Sequence, residues 1–183
     1  MTTARLEAGD TTLLVVDMQE RLLPAIHESD RVIERACLMM RAAEALGLPV
    51  VMTTQYRKGL GATHPTVQER APGIAPIDKV TFSCFGSPAI AEAVGATGRR
   101  SLLLLGVEAH ICVLQTGLDA LAAGYQVHLV VDACGSRRAD NAELGARRLE
   151  RAGVVLTSTE MAIYELLGSS GSPAFKSLLP YFK

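Results

Sequence analysis

The sequence predicts an α/β fold, a doubly wound and mostly parallel sheet flanked by helices on both faces. Short runs of nearly unbroken apolar residues recur along the chain, and stretches of helical period separate them. Strand and helix alternate in this way throughout, the pattern of a sheet whose crossovers are helices. The runs are continuous where they might have alternated, as expected of strands buried on both faces of a parallel sheet.

The first run, residues 12–17, reads Thr-Leu-Leu-Val-Val and ends in Asp17. A helix follows, capped by Ser29 or Asp30 and reaching Leu46, with Ile33, Cys37 and Met40 on one side; Gly47 and Pro49 stop it. The second run is residues 49–54. Residues 57–76, rich in Gly and Pro, are expected to form one long irregular connection, a kind of segment that is usually functional or mobile. A weaker strand lies at 77–82. Ser87-Pro88 opens a helix with Pro in its first turn, running to Val94. Residues 101–106 form the next strand, followed by a helix from His110 to Ala123 that Gly124 closes. A strand at 125–132, a helix at 140–152 closed by Gly153, a strand at 153–157 and a helix from Thr159 to Gly168 complete the pattern. The tail, 169–183, is first polar and then apolar, and is expected to pack on a neighbouring element or on a second subunit. No repeat or linker divides the chain, so residues 1–183 are read as one domain.

Composition narrows the function. Eighteen basic residues balance nineteen acidic ones, which leaves no electrostatic footprint for nucleic acid or an anionic membrane. The apolar runs are too short to span a bilayer, and the first ten residues carry two acids and no apolar core of a leader. The four cysteines, Cys37, Cys84, Cys112 and Cys134, form no C-x-x-C pair and read as reduced thiols of a cytoplasmic protein. His27, His64, His110 and His128 are scattered without metal-ligand spacing, and no phosphate-binding glycine loop follows a strand. Neither a metal nor another cofactor is expected.

Ligands of open α/β sheets bind beyond the carboxyl ends of the strands. Asp17, Gln19, Gln55, Tyr56, residues 79–82, 108–112 and 132–136 fall there. Cys112 stands out because it is expected in the first turn of a helix, where free amides and the helix dipole favour a thiolate. The alternative for Cys112 is a small buried hydrophobe. Cys134 also follows a strand but lacks a helix start; Cys37 reads as core, and Cys84 as packing or pocket wall. Asp17 ends an apolar strand and needs a partner or a function; Asp132 ends its strand in the same way and reads as structural. Lys79, one of only four lysines, offers a compact charge beside a thiolate or an exposed charge on an edge strand.

Leu14-Val15-Val16-Asp17-Met18-Gln19, then Asp78-Lys79, then Gly106-Val107-Glu108-Ala109-His110-Ile111-Cys112-Val113 resemble, in order and spacing, the isochorismatase-like cysteine hydrolases. The resemblance runs from about residue 10 to 168. It implies a three-layer sandwich and a catalytic triad of Asp17, Lys79 and Cys112. Asp17 would take the thiol proton, Lys79 would hold the thiolate and orient Asp17, and Cys112 would attack a small amide, nitrile or vinyl-ether type substrate. It further implies a cis peptide at Val107–Glu108 with amides turned to an oxyanion, and Gln19, Gln55, Tyr56, Phe82 and His110 around the substrate. A homo-oligomer, dimeric or built from dimers, is the implied assembly. Nicotinamidases of this superfamily carry an acidic and histidine metal cluster after the second strand, where this chain has Gln55-Tyr56-Arg57-Lys58 and only His64. A metal-dependent nicotinamidase and a non-catalytic binding or scaffold protein remain the alternative readings.

Overall fold

The computed structural model describes residues 5–182; residues 1–4, part of the stretch read for a leader, and Lys183 of the tail lie outside the described residues. Six strands form one parallel sheet: β1 (Thr11–Val16), β2 (Val50–Gln55), β3 (Ile77–Lys79), β4 (Ser101–Val107), β5 (Gln126–Gly135) and β6 (Val155–Thr157). Their order is β3-β2-β1-β4-β5-β6. The chain therefore winds outward from β1 in one direction and from β4 in the other. Right-handed crossovers then place helices on both faces and open a crevice where β1 and β4 end side by side.

The long helix α1 (Ser29–Leu46) crosses β1, β4 and β5. Two short helices, α2 (Arg57–Leu60) and α3 (Pro65–Gln68), interrupt the segment read as irregular. Helix α4 (Pro88–Gly95) precedes β4. α5 (Leu114–Ala122) and α6 (Ala139–Ala152) pack against each other and on β5. α7 (Thr159–Leu167) and α8 (Pro173–Leu178) lie along α1. All of β1 and β4 is buried, which accounts for their unbroken apolar sequence.

The structure corrects several boundaries. Glu28, in a left-handed conformation with φ 52°, precedes α1 where a Ser or Asp cap was expected, and its side chain makes no capping bond. β3 ends at Lys79 and not at residue 82, because the carbonyls of Thr81 and Phe82 turn inward to the Lys79 ammonium. β5 runs three residues past Asp132, where its pairing with β4 resumes at Gly106–Cys134 after a register shift. Asp132 is structural, as read: its Oδ1 accepts from the Thr159 amide at 2.7 Å and hydroxyl at 2.9 Å, tying the start of α7 to β5. The tail packs on its own chain. Leu178 is buried, and the Phe175 and Phe182 rings meet Tyr164 of α7 at 6.1 and 5.2 Å.

Candidate active site

Asp17 leaves β1 with φ 53°, so the chain turns sharply at the crevice and aims the carboxylate inward. It is fully buried. Thr53, from the end of β2, donates its hydroxyl to Oδ1 at 2.8 Å. Lys79 donates to Oδ2 at 2.8 Å, and neither side chain of this ion pair has any exposed surface. Lys79 Nζ also lies 2.7 Å from Gln55 Oε1 and 3.2 Å from the carbonyls of Thr81 and Phe82. Burial, the largest single influence, works against the ammonium, but the charge and hydrogen bond of Asp17, with smaller contributions from the neighbouring thiols, together outweigh it and the Lys79 pKa is raised. The lysine is therefore a fixed cation, not an edge-strand surface charge.

Cys112 comes to the same place from β4. Gly106, with φ 123°, passes so close to β1 that a Cβ there would lie 2.1 Å from the Val16 carbonyl oxygen. The Val107–Glu108 peptide is cis. Residues Ala109–Val113 then form a single π-helical turn before α5 begins at Leu114, where one continuous α-helix from His110 was expected. Cys112 is 6% exposed, and its thiol sits close enough to Asp17 and Lys79 to feel both charges.

The ionisation of Cys112 runs opposite to the expectation. Burial, then the adjacent Asp17 carboxylate, push the thiol up to about 12, with the Lys79 ammonium opposing them. A helix-start position favours thiolate only where no closer anion intervenes, and Asp17 is that anion. At rest the site pairs a neutral thiol with a carboxylate held by lysine and threonine.

Two residues of this centre are invisible to motif reading. Thr53 is one of two threonines ending β2, and nothing in sequence marks which faces Asp17. Cys84, fully buried, has its Sγ 3.9 Å from the Thr53 hydroxyl, while its amide donates to Thr116 Oγ1 of α5 at 2.9 Å. Its thiol is pushed up to about 11, chiefly by burial and then by Asp17. Cys134 is buried, with a thiol pushed up to about 12 by burial, and makes no bond to Asp17 or Lys79. Cys37 is half-buried on α1, its Sγ 3.5 Å from the Thr66 carbonyl.

The remaining residues divide. Gln19 is fully buried: its Oε1 accepts from the Gln55 amide at 2.8 Å, and its Nε2 donates to the carbonyls of Gln55 and Gly61 at 3.1 and 2.8 Å. Gln55 Oε1 accepts from Lys79 Nζ. Glu108 accepts from the amide and the Nε of Arg137 at 2.9 and 3.0 Å, which fixes the loop after β5 to the strand end of β4. His110 Nδ1 lies 2.9 Å from Ser136 Oγ. Tyr56 and Phe82 expose about half their surface, 53% and 54%, at the ends of β2 and β3. Among the described residues, no group of three or more His, Cys, Asp or Glu is placed to hold a metal ion.

Fold and site together define a doubly wound α/β domain with a buried carboxylate–ammonium–thiol cluster at the switch point of its sheet. The isochorismatase domain family matches residues 11–161. The chain belongs to this family, whose fold it shares and whose members are hydrolases or relatives of hydrolases. Isochorismatase domain-containing protein 2 of Bos taurus is 38% identical over 175 residues, covering 95% of this chain and 83% of its own length. A structure described as MAR1 ribonuclease from Caenorhabditis elegans is 36% identical, with a TM-score of 0.91 over 97% of this chain and 91% of that one. YcaC from Pseudomonas aeruginosa, solved with hexane-2,5-diol and covalent acrylamide, is 26% identical, with a TM-score of 0.92 over 98% of this chain and 92% of that one.

Proposed function

We propose that residues 1–183 form a single-domain, cysteine-dependent hydrolase in which Cys112 is the nucleophile, Asp17 the proton carrier and Lys79 the group that pairs with Asp17 and holds it in place. The observation that carries this reading is the thiol against one side of a carboxylate whose other contacts are Lys79 and Thr53, all at the sheet's switch point. Because the resting thiol is neutral, proton transfer and attack occur together. Asp17 takes the Sγ proton as sulfur bonds to the substrate carbonyl or nitrile carbon, and the carbon's π electrons move to oxygen or nitrogen. The backbone amides of Glu108 and Cys112, next to the nucleophile, stabilise the developing charge. For an amide, collapse expels the amine, which leaves with the proton from Asp17. Water then attacks the thioester, gives its proton to Asp17, and the acid departs as Cys112 regains its hydrogen.

The favoured substrate class is a small amide, nitrile or vinyl-ether type molecule. Tyr56 and Phe82 present apolar surface to it, and His110 supplies a polar contact oriented by Ser136. The covalent acrylamide in YcaC accords with a nucleophilic side chain in a protein of this fold, since acrylamide bonds by adding a nucleophile to its double bond. The protein is read as cytoplasmic, consistent with four free cysteines and with no described helix long and apolar enough to cross a membrane. Homo-oligomerisation accords with the exposed Tyr56, Val80 and Phe82 near the site, which a second copy would cover. The ribonuclease description of the worm structure gives a second reading, hydrolysis of RNA, which the near-zero net charge disfavours.

A screen of small amides, nitriles, vinyl ethers and a model RNA, with wild type and Cys112→Ala, tests the reading. Turnover of a small molecule that vanishes in Cys112→Ala and persists in chelator is the expected result. Activity that survives the substitution removes Cys112 from the chemistry, and activity on RNA alone favours the second reading.

A further inference from the structure

We propose that Gln55 is a positioning residue that sets how much of the Lys79 charge reaches Cys112, and that Gln19 holds Gln55 in place for this task. The inference rests on the hydrolase reading above and deepens it.

An ammonium has three N–H groups. Four acceptors surround Lys79 Nζ: Gln55 Oε1 at 2.7 Å, Asp17 Oδ2 at 2.8 Å, and the carbonyls of Thr81 and Phe82 at 3.2 Å each. The two short contacts take one N–H each, and the two longer ones share the third. Every donor is thus committed, and none is directed at the thiol. Of the four acceptors, Asp17 is the proton carrier and two are backbone, so Gln55 is the one side chain that can tune the lysine without joining the chemistry.

A neutral amide suits this position for electrostatic reasons. A carboxylate in its place would divide the lysine between two anions and bring a second negative charge toward Cys112. An apolar side chain would leave a buried N–H unmet, free to turn toward the sulfur. The amide's orientation is also built in. Gln55 Nε2 donates to the Val80 carbonyl at 3.0 Å, so the oxygen must face Lys79. Gln19 clamps the main chain of Gln55 from both sides, accepting from its amide and donating to its carbonyl, and anchors that clamp to Gly61. The result is a relay of fixed groups, Gln19 to Gln55 to Lys79 to Asp17, ending at Cys112.

Alkylation of Cys112 by iodoacetamide, followed across pH by peptide mapping, reads this without a substrate. Gln55→Glu should move the Cys112 profile up by about one pH unit, roughly a tenfold slower reaction at fixed pH. Gln55→Met, which removes the acceptor and frees an N–H, should move it down. Gln19→Met should follow Gln55→Met with a smaller shift, and stands in if Gln55→Met fails to fold. Shifts of opposite sign in the charged and apolar variants support the proposal, since a merely structural role moves melting temperature and leaves the profile in place. An unchanged profile in the apolar variants, or an upward shift in them, overturns it. Asp17→Asn in the same assay separates the two claims: if it too leaves the profile unmoved, the hydrolase reading fails, and if it alone moves the profile, only the role of Gln55 fails.

Discussion

Single residues show what a strand-end reading can and cannot see. Asp17, Lys79 and Cys112 are legible because each is a reactive group where an apolar strand ends, and they meet as that placement implies. The direction of the Cys112 ionisation was not legible, because it depends first on burial and then on a carboxylate 95 positions away in sequence. Gln19 and Gln55 stood at the right end of the sheet, but their bonds to each other's segment and, for Gln55, to Lys79 were not legible in the sequence. His128 is a different case, a titratable group outside the chemistry. It is 1% exposed on β5, and neither ring nitrogen has a hydrogen-bond partner among the described residues. Burial holds its pKa below the usual histidine value, with Glu165 acting weakly the other way. The folded protein therefore refuses a proton that the unfolded chain accepts below pH of about 6.5, and stability falls as pH drops through that value, by at most about 1.4 kcal/mol per unit. His128→Leu should flatten this dependence: chemical denaturation at pH 5 and pH 8 should show the larger gain for the variant at pH 5. An equal change at both pH values would show that His128 does not titrate in this range.

The alternation of strands with the longer helices followed from hydrophobic patterning, whereas the short helices α2, α3 and α8 did not. What patterning missed are the local departures around the site: the early end of β3, the extension of β5 and the π turn at Ala109–Val113. Each is produced by tertiary contacts, the first by Lys79 drawing two carbonyls inward. The π turn is held from outside by α6, where a Cβ on Gly145 would lie 2.8 Å from the Ala109 carbonyl oxygen and 3.0 Å from the His110 Cα. Gly145→Ala should therefore destabilise by about 1–2 kcal/mol, although Ala is the better helix former by about 1 kcal/mol. Thermal melting would measure this, and an unchanged or raised melting temperature would mean that α6 can retreat from the turn without cost.

At the scale of the molecule, the aromatic tail belongs to the chain's own architecture. Leu178 is buried, Phe175 and Phe182 meet Tyr164, and Arg41 of α1 stacks 4.6 Å above the Tyr181 ring. A chain ending at Gly171 should melt lower than the full protein and, by light scattering, keep its oligomeric state; loss of the oligomer would give the tail an intersubunit role. In the crevice between β1 and β4, Asp17 adds to burial in raising the thiol pKa, and it is proposed to receive the thiol proton. Removing that charge should have two opposite effects. Asp17→Asn lacks the proton acceptor and should lose turnover. It also lacks the anion that raises the thiol, while Lys79 remains beside it, so Cys112 should alkylate faster at pH 7–8 than in wild type, with about a tenfold gain for each unit its pKa falls. Iodoacetamide labelling of Cys112 in the two proteins measures this directly. Faster labelling of the inactive variant is the expected result; equal or slower labelling would contradict the assignment of Asp17 as the group that governs the thiol.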